Sequence, residues 1–499
     1  MGLKMTTTKD PKKIYIDKHI WMPRDALSPP RLNILRGGLR VLDGAGDFPL
    51  YHEDKSFPWI LLPRCKRVFA DVYEPEVVDL RPGPQDYEHV PFQKNIQLDH
   101  REGVPTGLDV QRRAHAAIRD QSGVLQLYCG AGKTAVALHL MAEQQAPFVV
   151  VADNVELLEQ WAASIHRFLG VRMQDLLPSK TSVDKYATSP VVLTTYQALA
   201  RTYNTKSADF EKVQRRFRTV IFDEAHHLNA RTFSACAEAF SGHRLSLTAT
   251  PKRADGLHVI QESHVGGVLF QELRAPLKAK VKFVRTPAVL PPQAFDWTKL
   301  NTGERQEDRQ NAKVAGLMGA LPERKEAARL LAKNALDTGR KILILSSSVT
   351  ALAHVAAAIA GVEGPVNDEN RASVLLKALE ARKDLGVMTS EVSSSLRRKG
   401  ARCMLAILRY GREGYDDASL DTVLLLEPVA SQAMLQQILG RTERIFPGKK
   451  EPVVFVLQDK EPVFERRCDV MRKIFREWPE EAGGQVEYSW LLPLSRRHF

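Results

Sequence analysis

The run Cys129-Gly130-Ala131-Gly132-Lys133-Thr134 has the residue types and spacing of a loop that wraps phosphate. Glycines let backbone N–H groups turn inward around phosphate oxygens, and the N-terminus of a following helix adds positive potential. A lysine there reaches the β and γ phosphates of a nucleotide, and a threonine hydroxyl holds Mg²⁺. Gly130, Ala131, Gly132, Lys133 and Thr134 are therefore the candidate nucleotide-binding residues. The run matches the eight-residue phosphate-loop pattern except at its first position, which is Leu127. The plainer alternative is a glycine-rich turn in an α/β domain. About ninety residues downstream, Asp223-Glu224-Ala225-His226 follows the apolar stretch Thr219 to Phe222. A carboxylate at a strand end can hold Mg²⁺ while an adjacent glutamate orients and deprotonates the attacking water. Two acids after a strand also suit a helix N-terminus. Their place after a phosphate loop favours hydrolysis, with Asp223 holding the metal and Glu224 activating water.

These residues need strand ends to hold them, and the sequence supplies them. From about 104 to 270, apolar runs (Gly123 to Tyr128, Phe148 to Ala152, Pro190 to Thr195, Thr219 to Phe222, Arg244 to Thr248) alternate with helical stretches. That alternation predicts a parallel sheet wrapped by helices. Several runs are continuous Val, Ile and Leu, as expected of strands covered on both faces. The candidate residues follow their C-terminal ends, where open α/β sheets bind ligands. The same alternation restarts with Lys341 to Leu345, Arg402 to Leu408, Asp421 to Leu426 and Pro452 to Leu457. The expected organisation is α/β: an accessory domain at 1–103, a first lobe at 104–270, a linker or insertion at 271–320, a second lobe at 321–460, and a basic helix and tail at 461–499. Pro291-Pro292 and the charged stretch Gly303 to Lys313 mark the linker.

The bulk numbers narrow the partners. With 71 Lys and Arg against 59 Asp and Glu, a net charge of +12 and a pI near 9.4, the chain suits a polyanion. Its five cysteines, Cys65, Cys129, Cys236, Cys403 and Cys468, are scattered with no C-x-x-C pair. The expectation is a reducing compartment and neither a disulfide framework nor a cysteine metal site. No apolar run approaches the ~20 residues of a membrane span, and the N-terminus lacks a signal-peptide core. These features predict no membrane partner and an intracellular, cytoplasmic location.

Gly-x-Gly-Lys-Thr, then Asp-Glu-Ala-His, then Leu247-Thr248-Ala249-Thr250-Pro251 resemble motifs I, II and III of superfamily 2 helicases. Gln437-x-x-Gly440-Arg441-x-x-Arg444 is similar to motif VI, Gln111 resembles the adenine-reading glutamine, and Val150 to Trp161 resembles motif Ia. Val191 to Leu199, with Thr194, Thr195 and Tyr196, resembles motif Ib, and Ile342 to Ser348 resembles motif IV. Gly411-x-x-Gly414-x-Asp416 keeps the motif V glycines, but Leu408 and Tyr415 depart from it. The stretch Leu247 to Gly256 looks like the motif III extension of the XPB and UvsW group, whose Arg-Glu-Asp element Arg253-Ala254-Asp255 matches without its middle acid.

The resemblance covers about residues 104 to 460. It implies two tandem RecA-like lobes, ATP and Mg²⁺ as cofactors with Thr134 and Asp223 as metal ligands, and Glu224 as the water-activating base. Arg441 and Arg444, with Gln437, would complete the site from the second lobe. It places Thr195 and Tyr196 on the nucleic-acid side, makes Thr248 and Thr250 a link between the nucleotide and that side, and gives Arg253 a DNA contact, with a surface salt bridge as its equal alternative. The implied activity is an ATP-dependent DNA helicase or translocase acting on double-stranded, forked or branched and single-stranded DNA in replication, recombination or repair, with protein partners from those processes. A prokaryotic or viral host cell is also what the resemblance implies. No feature points to oligomerisation. Three rivals stay open: an RNA-dependent ATPase, a nucleotide-switched DNA-binding protein that does not unwind, and the motor portion of a restriction or repair complex.

Overall fold

The computed structural model describes residues 9–43, 46–53, 57–65, 70–99, 109–119, 121–128, 130–176, 183–205, 207–225, 228, 233–248, 258–273, 278–294, 304–393, 396–398, 400–408, 417–477 and 489–491. The chain divides into two compact units, one of 1–100, 106–127 and 132–272, the other of 273–499 with the short segments 101–105 and 128–131.

The first unit opens with strands β1 (Ile14–Ile16), β2 (His19–Pro23), β3 (Arg40–Asp43), β4 (Gly46–Pro49), β5 (His52–Glu53), β6 (Trp59–Pro63) and β7 (Val77–Asp79). Five form a mixed sheet in the order β5-β6-β2-β1-β7, and β3 pairs with β4 in a hairpin. Their apolar side, with Met22, Leu39, Phe48, Ile60 and Leu62, also buries Ile260 from the helix His258–His264. This sheet is therefore part of the core of its unit. A buried polar seam accompanies it. The Arg64 guanidinium donates to the carbonyls of Ser241 and Gly242 at 2.5 and 2.8 Å. Fully buried Arg244 donates to the carbonyls of His264, Lys18 and Phe240 at 2.7, 2.9 and 3.1 Å, and Ser241 Oγ donates to Asp17 at 2.5 Å.

After it comes a six-stranded sheet of β8 (Gly123–Leu127), β9 (Phe148–Ala152), β10 (Val191–Thr195), β11 (Thr219–Asp223), β12 (His243–Thr248) and β13 (Val268–Glu272). Its order is β10-β9-β11-β12-β8-β13 and every pairing is parallel. Helices cover both faces, so β8 and β9 are buried at every position. Burying each Val or Phe contributes about 1.5–3 kcal/mol. The helix Val155–Leu169 starts where Asn154 accepts the N–H of Leu157 at 2.9 Å.

The second unit holds β14 (Lys280–Arg285), β15 (Ile342–Ser346), β16 (Leu385–Met388), β17 (Cys403–Ile407), β18 (Thr422–Leu425), β19 (Val453–Gln458) and β20 (Ser489–Leu491). Its sheet runs β16-β17-β15-β18-β19-β14-β20, again parallel throughout. The stretch expected as a linker thus contains β14, hydrogen-bonded to β19 inside this sheet. Along it Lys280 and Lys282 alternate with Val281 and Phe283, both buried. The charged stretch from 304 is a helix, Glu304–Gly319, and the basic helix at the end of the chain is Pro462–Glu477. The architecture is α/β, with a six-stranded and a seven-stranded parallel sheet and an N-terminal mixed sheet.

Candidate functional site

The phosphate-loop residues join β8 to the helix Lys133–Gln144. Gly130 and Gly132 take φ of 82° and 92°, the left-handed region that a side chain disfavours. Those two turns bring the helix N-terminus to the end of the strand. Lys133 Nζ donates to the Leu127 carbonyl at 3.1 Å, which holds the ammonium back over the loop. Ala131 is buried, while Gly132, Lys133 and Thr134 are half-buried.

Register aligns the other motifs with this loop. Asp223 on β11 lies opposite Leu247 on β12, which lies opposite Leu125 on β8, and Thr248 lies opposite Gln126. Asp223, Thr248 and the start of the loop therefore share the C-terminal edge of the sheet. Neighbouring strands are ~4.8 Å apart, which sets the Asp223 backbone ~10 Å from β8. Burial and the charge of Glu224 push the Asp223 carboxyl up to about 6, against the Trp161 hydrogen bond and the Lys133 ammonium. Trp161 Nε1 donates to Asp223 Oδ2 at 2.8 Å, and the Glu224 N–H donates to Oδ1 at 3.0 Å. Glu224 itself has φ of 47°, a strained position for a non-glycine residue. Two adjacent carboxylates in such a setting, with a threonine hydroxyl at the loop, are a donor set suited to a hard divalent cation.

Gln111 is buried on the helix Val110–Ile118 and clasps Asp99 reciprocally. The Asp99 N–H donates to Gln111 Oε1 at 2.8 Å, and the Gln111 N–H donates to Asp99 Oδ1 at 2.9 Å. Thr195 is half-buried and its hydroxyl accepts the Ala198 N–H at 3.2 Å, while Thr248 is buried. Tyr196 has no exposed surface and stacks on Phe222 at 6.3 Å between ring centroids, which places it in the core rather than on an outer face.

In the second unit, Gln437 and Arg441 lie four residues apart on the helix Gln432–Thr442, which Ser431 caps. Such spacing sets both on one helix face. Gln437 is buried, Arg441 is half-buried, and Arg444 follows two residues past the helix end. Lys449 Nζ donates to the Arg444 carbonyl at 2.7 Å and to that of Ala418 at 3.1 Å, fixing the turn. Beside it, burial pushes Glu443 up to about 7.

Cys129, His226, Thr250, Arg253 and the motif V residues 411–416 lie outside the described residues. Sequence reasoning missed Asp99 and gave Trp161 no role at Asp223. Both act through hydrogen bonds across 12 and 62 residues that no local spacing encodes. No helix among the described residues is long and apolar enough to cross a membrane.

Residues 105–253 match the family model described as the type III restriction enzyme res subunit. The chain is similar to the probable helicase D10 of Escherichia phage T5, 25% identical over 80% of this chain and 79% of that one. It is 30% identical to the DNA 3'-5' translocase XPB2 of Sulfurisphaera tokodaii over 34% of this chain, and 24% identical to the putative ATP-dependent RNA helicase L396 of Acanthamoeba polyphaga mimivirus over 68%. The match spans 37% of XPB2 and 60% of L396, well short of their full lengths. The phosphate loop, Asp223 and Thr248 share one sheet edge, and the chain is similar to XPB-type translocases and to phage and viral helicases.

Proposed function

We propose that this chain is an ATP hydrolase that couples turnover to movement on DNA and remodelling of it, whether by unwinding, branch migration or annealing. The observation that carries the reading is the shared C-terminal edge of β8, β11 and β12, which lines up the phosphate loop, Asp223 and Thr248. In this reading the amides of Gly130, Ala131 and Gly132 and the Lys133 ammonium bind phosphate, and Gln111 meets the adenine. Thr134 and Asp223 would hold Mg²⁺, which when bound neutralises phosphate charge. Glu224 orients the attacking water and takes its proton. Arg441 and Arg444, with Gln437, supply positive charge to the transferring phosphoryl group from the second lobe.

For work on nucleic acid, nucleotide state must shift affinity for the strand, since a ligand moves an equilibrium only through differential binding. Thr248 and Thr250 link the two sites, with Thr195 and Arg253 on the DNA side. The +12 charge supports a polyanion, and the XPB-type relatives favour DNA. The test is steady-state ATP hydrolysis alone and with single-stranded, duplex, forked and four-way DNA and RNA, all at one salt concentration. Strongest stimulation by duplex or branched DNA is expected. Stimulation by RNA alone would transfer the reading to an RNA-dependent ATPase, and none at all would leave a switch or a partner-dependent subunit.

A further inference from the structure

Away from the sheet edge, four segments of the first unit bring imidazoles around one carboxylate. His19 at the start of β2 places Nε2 3.2 Å from Glu238 Oε2. His52 on β5 places Nε2 3.1 Å from the same oxygen and 3.2 Å from Oε1. His264, the last residue of its helix, has Nδ1 3.9 Å from Oε1. The His19 and His52 rings meet edge to face at 5.3 Å, and the ligand atoms of His19, His52 and Glu238 all lie within 4.8 Å of one another.

Neither ring nitrogen of His19 makes a directed hydrogen bond among the described residues, although the ring is 1% exposed and the carboxylate lies at contact distance. Nδ1 of His264, 3% exposed, is also unsatisfied. A buried polar atom without a partner carries a desolvation cost. His19 Nε2 approaches Glu238 Oε2 off a hydrogen-bond direction, whereas His52 Nε2 lies within hydrogen-bond distance of both carboxylate oxygens. Around tetrahedral zinc, with bonds of ~2.0–2.1 Å to nitrogen and oxygen, neighbouring ligand atoms are separated by about 3.3 Å. The 3.1–3.2 Å nitrogen to oxygen separations match that edge length.

We propose that His19, His52 and Glu238, with His264 as the fourth corner, form a zinc-type divalent cation site. A hydrogen-bonded His52–Glu238 pair alone would satisfy the carboxylate, but it leaves His19 and His264 without purpose. Arg244 and Lys18 add positive charge nearby, yet the Arg244 N–H groups are engaged by three carbonyls, and Asp17 lies on the same seam. The His52 side chain is 46% exposed, which gives a cation a way in. Two ligands come from the N-terminal sheet, one from the chain after Asp223-Glu224 and one from the helix after Thr248. The metal would be a clasp that fastens that sheet to the segments following motifs II and III.

The test uses the full chain without nucleotide or nucleic acid. After chelation and dialysis, Zn²⁺ is titrated back, bound zinc is counted by mass spectrometry, and Co²⁺ is substituted to read the visible bands of a four-coordinate site. The other histidine and glutamate group, His115, His139 and Glu143, supplies the control. Wild type and His139→Ala should each bind one zinc at the clasp and melt at a higher temperature with it. His52→Ala and His52→Gln should bind at least about 100-fold more weakly and lose the zinc-dependent rise. Both variants also lose a hydrogen bond to buried Glu238, so the readout is the change in melting temperature on adding zinc within each variant, not the metal-free value. Failure of the wild type to take up micromolar zinc overturns the site. So does zinc uptake by His52→Ala equal to that of the wild type, or loss of zinc from His139→Ala alone.

Discussion

The Tyr196 hydroxyl donates to the main-chain carbonyl of Asp223 at 2.9 Å, from the first turn of the helix that leaves β10. A residue of the segment expected on the nucleic-acid side therefore holds the backbone of the candidate metal ligand. Any shift of β10 and its helix is passed to Asp223 by one hydrogen bond rather than through loose packing.

Tyr196→Phe should keep the stack on Phe222 and lose only that bond. A buried carbonyl deprived of its donor costs about 1–3 kcal/mol. The expected result is a lower urea midpoint and a several-fold drop in stimulated ATP turnover, with ATP affinity little changed. Equal stimulated turnover in mutant and wild type would sever the proposed link.

Trp161→Phe removes the donor to Asp223 Oδ2 while keeping most of the ring volume. Turnover should fall about tenfold or more through a misplaced carboxylate, and the loss should be partly recovered at raised Mg²⁺. A mutant with wild-type Mg²⁺ dependence would make Trp161 a packing residue only.

Glu224→Gln should bind ATP like the wild type and lose about 10²–10⁴-fold in turnover, the range of general base catalysis. Lys133→Ala should weaken both. Arg441→Ala should leave ATP binding largely intact and cost about 10³-fold or more in turnover. Single-turnover hydrolysis beside equilibrium nucleotide binding separates the three.

Glu443 gives a pH signature. Its folded pKa of about 7 stands above the ordinary 4.5 because of burial. A raised pKa means that the folded state binds the proton more tightly. Its contribution is fully present below pH 4.5 and is lost as pH rises through 7. Glu443→Gln, which can still accept the Ala279 N–H, should match the wild type at pH 5 and exceed it by on the order of 2–3 kcal/mol at pH 8.5. Urea unfolding at both pH values reads the difference, and a gap at pH 5 equal to that at pH 8.5 would exclude titration.

The sheet edge was legible because β8, β9, β10 and β11 are short apolar runs with function placed after their ends. Four strands of the two parallel sheets were not, one of them β20, only three residues long. β14 alternates charge with apolar residues, β16 is Leu-Gly-Val-Met, and β13 leaves Val268 exposed, so none has a core-strand pattern. The ties of Asp99 to Gln111 and of Trp161 to Asp223 were hidden for a different reason, because their partners meet only after the sheet is assembled.

The seam of Arg64, Arg244 and Asp17 changes what shortening the protein would mean. Arg244 has no exposure, and one of its acceptors is the carbonyl of Lys18 in the N-terminal sheet. Cutting the chain just ahead of the ATPase lobe would open that pocket to water, strand a guanidinium beside a bared Ile260, and leave a sticky surface where a folded one had been. A trimmed chain should therefore aggregate or depend on a supplied N-terminal fragment, which makes the first hundred residues a keel rather than an appendage.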